Sequence, residues 1–224
     1  MKQAYFITGT DTEVGKTFIT AALLWKARNA GRTAIGLKPI AAGTNEFGRN
    51  DDIETLRNAN SIEVPPQVLN TYCFDNPIAP HIAACEAGVA LDFAPILAAR
   101  DDALTLSESL LIEGVGGFRV PLGVDRDSAD LAVALDLPVI LVIGLRLGCL
   151  NHALLTVEAI QSRGLPLAGW IGNNTGPAMA RQGDNVATLA RYIPAPCLGF
   201  VPRLPMNDPR QAAGLVEWPP QPPA

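Results

Sequence analysis

Aromatic residues make up only 6% of the 224-residue chain, and histidine occurs twice. So few rings imply an aliphatic core, and His81 and His152 are read as packing or hydrogen-bonding residues. The four cysteines (Cys73, Cys85, Cys149, Cys197) show no CxxC spacing, and no His/Cys set is spaced as a metal site or a catalytic triad. They read as reduced thiols, mostly small core hydrophobes. Charge is sparse as well, at 17% of residues, with a net −5 and no run of Lys or Arg. That argues against a nucleic-acid or anionic-membrane surface, while leaving room for a local basic cluster around phosphates. No apolar stretch reaches the ~20 residues of a membrane span, and the chain enters a strand-like run at Ala4 with no basic-then-apolar leader. The expectation is a soluble, cytoplasmic protein. What is abundant is aliphatic. Hydrophobic residues make up 48% and mean hydropathy is +0.19, which suits one well-buried domain built on parallel strands.

Strand patterns alternate with helix patterns. Ala4 to Thr8 reads as a strand and Lys16 to Asn29 as a helix stopped by Gly31, with a second strand from Thr33 to Lys38 ended by Pro39. Asp51 to Asn58 reads as a short helix, 61–80 as a Pro- and Asn-rich loop, and Pro80 to Glu86 and Asp92 to Arg100 as helices. Leu110 to Ile112 is a buried strand, and Leu137 to Gly144 (LPVILVIG) is the strongest strand, expected at the sheet centre. A helix from Asn151 to Arg163, a strand from Leu167 to Asn173, a helix toward Tyr192 and a strand from Cys197 to Val201 complete the pattern. The expected fold is a single α/β domain over 1–210, with a doubly wound, mostly parallel sheet flanked by helices and ligands at the strand carboxyl ends. A Pro-rich tail follows over 211–224, and its end from Trp218 to Ala224 is expected to be a loose terminus.

Between the first strand and the first helix lies Gly9-Thr10-Asp11-Thr12-Glu13-Val14-Gly15-Lys16-Thr17, a P-loop in its required context. Backbone N–H groups of such a turn converge on phosphates and the helix dipole favours negative charge there. Lys16 would neutralise the β- and γ-phosphates, and the Thr17 hydroxyl would meet Mg²⁺. The first glycine sits one residue early, and Thr10 holds its usual place. Plasmid-partition and division-site ATPases carry a second lysine five residues before the loop lysine. Here that position is Asp11, which argues against such an ATPase.

Glu113 ends a buried strand before Gly114-Val115-Gly116-Gly117, where an acid would sit beside the P-loop and hold Mg²⁺. Asp52, with Asp51 beside it, either supplies a second carboxylate or serves as a helix cap and first-turn acid. Lys38 before Pro39 is either a site lysine or an exposed lysine ending an edge strand.

The order GTDTEVGKT, Leu37-Lys38-Pro39 with Gly43, Asp52, Pro80-His81, IEGVGG and GCLNHALLT resembles the dethiobiotin synthetases. So do Gly169-Trp170 with Asn173 and Ile193-Pro194-Ala195-Pro196. The match spans about residues 4–206. The resemblance implies an ATP- and Mg²⁺-dependent ligase that closes a ureido ring from 7,8-diaminopelargonate and CO₂ or bicarbonate, in biotin biosynthesis. It implies a nucleotide loop of Glu13, Val14, Gly15, Lys16, Thr17 and Phe18, Mg²⁺ on Thr17, Asp52 and Glu113, and nucleotide contacts from Gly114, Val115 and Gly116. It assigns Lys38, Lys16 and Thr12 to the chemistry, and places Thr12, Lys38, Ala42, Gly116 and Gly117 around the diamine. Asn173 would read the adenine edge, with Asn174, Pro202, Arg203 and Leu204 lining the base pocket. Gly148, Cys149, Leu150 and Asn151 would receive the substrate carboxylate of the neighbouring subunit in a homodimer, a role that free N–H groups at a helix start can fill. Asn151 and Asn173 can also be read as ordinary helix caps.

Three positions depart from the family pattern. Ala42 replaces a hydroxyl residue, with Thr44 nearby; Arg146 replaces a lysine; and Asn185 stands where a tyrosine can touch the substrate carboxylate. Two other functions compete. An amidoligase of the cobyrinate a,c-diamide synthase type would need an ammonia-supplying domain with a catalytic Cys and His. A nucleotide-dependent switch would need a macromolecular partner.

Overall fold

The computed structural model describes residues 2–220. The chain runs β1 (Gln3–Gly9), α1 (Lys16–Asn29), β2 (Ala34–Leu37), β3 (Ile40–Ala42), α2 (Asp51–Ala59), α3 (Pro66–Leu69), β4 (Tyr72–Phe74) and α4 (Pro80–Glu86). It continues through α5 (Ala94–Leu106), β5 (Ser109–Glu113), α6 (Ser128–Leu135), β6 (Val139–Gly144), α7 (Cys149–Ser162), β7 (Leu167–Asn173), α8 (Gln182–Tyr192), β8 (Cys197–Val201) and α9 (Pro209–Ala212). Six strands form one sheet in the order β2-β5-β1-β6-β7-β8, with every neighbouring pair parallel.

The expected doubly wound sheet is present, and β6, the aliphatic run, is one of its two central strands. Parallel strands are covered on both faces, so their residues are apolar throughout. All six residues of β6 are buried, Leu141 and Ile143 in a core shared with α7 and α8, Ile140 and Val142 in the core that includes α1. Among the described residues no helix is long and apolar enough to cross a membrane.

The order β2-β5-β1 positions the site. Leu37 is in register with Ile112, and Glu113 with Ile7, so the residues leaving β2, β5 and β1 emerge side by side at one edge. Those residues are Lys38, Glu113 and the P-loop.

The structure corrects three expectations. The cysteines are not mostly core residues, since Cys73, Cys85 and Cys197 are exposed and Cys149 alone is buried. Segment 61–80 is not simply loop. It contains α3, and β4 pairs in parallel with β3 as a separate two-stranded sheet. The tail is not loose over its described part. Val216 bridges Gly199 of β8, and Trp218 stacks edge-on against Tyr5. Residues 221–224 lie outside the described residues.

Candidate active site

The P-loop carries the signs of a loop shaped for an anion. Gly15, at the N-cap of α1, has φ 83°, and Glu13 also lies in the left-handed region at φ 59°. A Cβ on Gly15 would fall 2.2 Å from Asn173 Nδ2, so both the dihedral and the space demand glycine. Asn173 Nδ2 donates to the Val14 carbonyl at 2.9 Å and ties the loop to the end of β7. Asn173 therefore caps no helix; α8 starts only at Gln182. Lys16 Nζ donates to the Asp11 carbonyl at 3.0 Å.

Lys38 is buried, which removes its reading as an exposed edge lysine. Its Nζ lies 2.5 Å from Glu113 Oε1 and 2.8 Å from Asp52 Oδ2. Glu113 Oε1 also accepts from Thr17 Oγ1 at 2.7 Å, while the buried Oε2 has no partner. Asp52 does both of the things considered for it. It lies in the first turn of α2, whose N-cap is Asn50, and its carboxylate reaches Lys38.

These groups polarise one another. Burial alone would pull the Lys38 ammonium down, but Glu113 and Asp52 outweigh it and hold the pKa above the usual lysine value. Burial would raise Asp52, and the Lys38 charge overrides that and leaves its carboxyl lowered. For Lys16 the balance goes the other way, because Glu113, Asp52 and Asp11 raise it but do not make up the loss. Burial, reinforced by the Lys38 charge, lowers it to about 8.

Thr17, Asp52 and Glu113 fit Mg²⁺. They are hard oxygen donors only, and the orphaned Glu113 Oε2 is an acceptor in need of a cation or donor. Among the described residues no group of three or more His, Cys, Asp or Glu could hold a metal without further ligands. Two carboxylates, a hydroxyl and substrate phosphates are how Mg²⁺ is commonly bound.

Two connected hollows surround this cluster. A cleft of about 850 Å³ is lined by Thr12, Glu13, Lys16, Thr17, Lys38, Ala42, Asp52, Glu113, Val115 and Gly116 among others. A second hollow of about 620 Å³ is lined by Asn173, Asn174, Pro202, Arg203 and Leu204, and shares Gly15, Phe18 and Asn207 with the first. Val14 is buried beneath the loop. Gly114 sits over Phe6 and turns its carbonyl to Lys38, 3.5 Å away. Gly117 lies against the backbone of Gly9 and Asp11.

Gly148, Cys149, Leu150 and Asn151 are not brought to this chain's own cleft. Gly148 is the N-cap of α7, Cys149 is buried and Asn151 is exposed, two residues into the helix rather than at its cap. Of the three departures, Ala42 lines the cleft, whereas Thr44 is not among the lining residues and its hydroxyl donates to Asp75 at 2.9 Å. Arg146 pairs with Asp11, whose other oxygen accepts from Thr12 N at 2.8 Å. Asn185 is half-buried and donates to the Arg181 carbonyl. Sequence reasoning missed the Asp11–Arg146 pair and the cleft residues Asp51, Thr55, Pro77, Ile78, Ala79, Val120, Asn207 and Pro209. Only the Pro80-His81 motif lay close enough to point toward the 77–80 wall.

Comparison with known proteins separates fold from family. The septum site-determining protein MinD from Pyrococcus horikoshii, complexed with Mg-ADP, superposes with a TM-score of 0.60 at 16% identity over 95% of this chain and 89% of that one. The cell division protein FtsY from Thermotoga maritima gives 0.54 at 14% identity over 95% and 67%. Identity that low speaks to the fold alone. The family model described as an AAA domain matches residues 3–211. The ATP-dependent dethiobiotin synthetase BioD of Aromatoleum aromaticum is 52% identical, covering 97% of this chain and 98% of its own length. The enzyme of the same name from Ralstonia nicotianae is 54% identical, covering 95% and 94%. By identity at that level along nearly its whole length, the chain belongs to the dethiobiotin synthetase family.

Proposed function

We propose that the chain closes the cyclic urea of dethiobiotin from 7,8-diaminopelargonate, CO₂ and ATP, and that it works in the cytoplasm. The observation that carries this reading is the buried Lys38 held between Glu113 and Asp52 beside the P-loop. One substrate amine adds to CO₂ and loses a proton, giving a carbamate. A carbamate oxygen attacks the γ-phosphorus and the bond to the β-phosphate oxygen breaks, giving a carbamic–phosphoric anhydride and ADP. The second amine attacks the carbamoyl carbon, the ring closes, and inorganic phosphate leaves with its electron pair.

None of these steps needs a protein nucleophile, so the chain's part is positioning and charge stabilisation. Lys16 meets the phosphates, and Lys38 meets the carbamate as negative charge develops on it. Thr12, Ala42 and the Gly116-Gly117 turn border the diamine. Mg²⁺, held by Thr17, Asp52 and Glu113, would supply further neutralisation of the phosphates. Asn173 and Asn174 face the base, with Pro202, Arg203 and Leu204 as its wall.

The substrate carboxylate is received by Gly148 to Asn151 of a second subunit. Two observations support this. The early N–H groups of α7 lie outside the chain's own cleft, and they adjoin exposed apolar residues, with Leu147 93% and Leu155 57% accessible.

Phosphate release tests the reading against its competitors. It should be stimulated by the diamine plus bicarbonate, and neither by a carboxylic acid plus ammonia nor by a macromolecular partner. Lys38→Leu should then cut turnover far more than it weakens ATP binding, because its contact strengthens as charge develops. Equal losses in the two would move Lys38 to a phosphate-holding role.

A further inference from the structure

The chain leaves β8 at Val201 and forms one wall of the base hollow with Pro202, Arg203 and Leu204. It then passes Asn207 and Pro209, which line the phosphate cleft. This wall has no regular structure of its own. The segment after it, by contrast, is tied down at several points.

Short helix α9 packs along α1, with Ala212 and Ala213 buried. Val216 pairs antiparallel with Gly199, and Glu217 N donates to the Leu198 carbonyl at 2.5 Å. The contact with β8 is close, since a Cβ on Gly199 would lie 2.4 Å from the Leu215 carbonyl oxygen. The Glu217 carboxylate pairs with Lys26 of α1 at 3.0 Å. Trp218 ends the series. Its ring meets Tyr5 of β1 edge-on, 5.7 Å between centroids, and the Arg32 guanidinium lies 4.3 Å over it.

β1 and α1, which hold this segment, are the two elements that carry the P-loop between them. We propose that residues 208–218 form a strap that sets the base-pocket wall relative to the phosphate loop, with Trp218 as a positioning residue for nucleotide recognition. The proposal rests on the reading that Pro202 to Leu204 hold the base. A wall suspended between β8 and the strap is pre-organised. Loosening the far anchor gives the wall more conformations, which binding of a base must then remove. The phosphate loop is held by its own chain connections to β1 and α1 and by the Asn173 bond to Val14, and the strap's one residue on its cleft, Pro209, lies at the end away from Trp218.

The test is the ratio of two affinities in the full-length protein with Mg²⁺: that for ATP and that for tripolyphosphate, which has no base. Trp218→Ala should weaken ATP about five- to tenfold and leave tripolyphosphate unchanged, since the lost pre-organisation belongs to the base wall. Trp218→Phe, which keeps a ring against Tyr5 and beneath Arg32, should restore most of the ratio. Arg32→Met removes the stacked cation together with its hydrogen bond to Gln3 of β1, and should shift the ratio the same way by about twofold, providing a milder variant if Trp218→Ala does not fold. Leu204→Asp alters the wall directly. If it changes the ratio and the Trp218 and Arg32 variants do not, the strap is refuted and the base pocket stands. If no variant changes the ratio, the base-pocket reading falls and the strap with it. Equal weakening of both ligands by Trp218→Ala would reduce Trp218 to a general stabiliser and overturn the proposal.

Discussion

Lys16 enters the nucleotide-free cleft as a stronger acid than an ordinary lysine, its pKa lowered by burial and by Lys38 to about 8. Bound phosphates would bring compensating negative charge and raise it again, so nucleotide binding must take up protons where free Lys16 is partly neutral. At pH 8 the uptake should be about half a proton per site, and near zero at pH 6.5, where Lys16 is already charged in the free protein. Calorimetry in buffers of different ionisation heat reads this directly. In Lys16→Gln the uptake should vanish, turnover should be lost and the unfolding midpoint should hold, since a partly desolvated charge has been removed. Uptake that persists in that variant would assign the proton to another group. Lys16, Thr17, Lys38 and Glu113 were legible because each has a local signature: GKT after a strand, or a polar residue ending a buried run. The hold of Asn173 on Val14 was not, because the two are 159 residues apart and only the register of β1, β6 and β7 brings them together. The Asp11–Arg146 pair escaped for the same reason.

At the scale of elements, the long ones were readable and the short ones were not. β1, α1, β6 and β7 have continuous apolar runs or clear stops. β3 and β4 have three residues each and exist because they pair with one another, which no local pattern announces. α6 was missed because its sequence, SADLAVAL, is apolar nearly all round, buried as it is, and shows no helical period. Its signal was the cap. Asp127 accepts from Ala129 N and Asp130 N, and the Asp130 side chain accepts in return from Asp127 N at 2.8 Å. Asp127→Ala should cost about 1 kcal/mol in chemical denaturation with little change in ATP affinity. The Asp127 backbone N–H and the Arg163 guanidinium lower the Asp130 carboxyl below its usual range. A lowered folded pKa means stability that is present above the ordinary carboxylate range and lost as pH falls through the lowered value. Asp130→Asn should therefore flatten part of the acid limb of the stability profile. An acid limb unchanged in that variant would place the sensitivity elsewhere.

At the scale of the whole molecule, one chain brings together the P-loop, the Lys38–Glu113–Asp52 cluster and the hollow beside Asn173, while the helix start proposed for the substrate carboxylate lines neither hollow. If an isologous dimer completes the site, each subunit lends α7 to the other and the dimer holds two equivalent composite sites. Two variants separate this from a site built within one chain. Lys16→Gln removes the phosphate charge from one component. Asn151→Asp places a like charge where the substrate carboxylate would sit, at an exposed position with no core role. Each homodimer should be nearly inactive. In a heterodimer, one site combines both defects and the other combines neither. Random assortment gives about half heterodimers with one sound site of two, so mixing should restore roughly a quarter of wild-type turnover. Differently tagged, purified heterodimers should titrate with one active site per dimer. Heterodimers that form and stay inactive would return the carboxylate to groups within one chain. In that case Arg146 would be the first residue to examine, as an exposed cation already paired at the P-loop with Asp11.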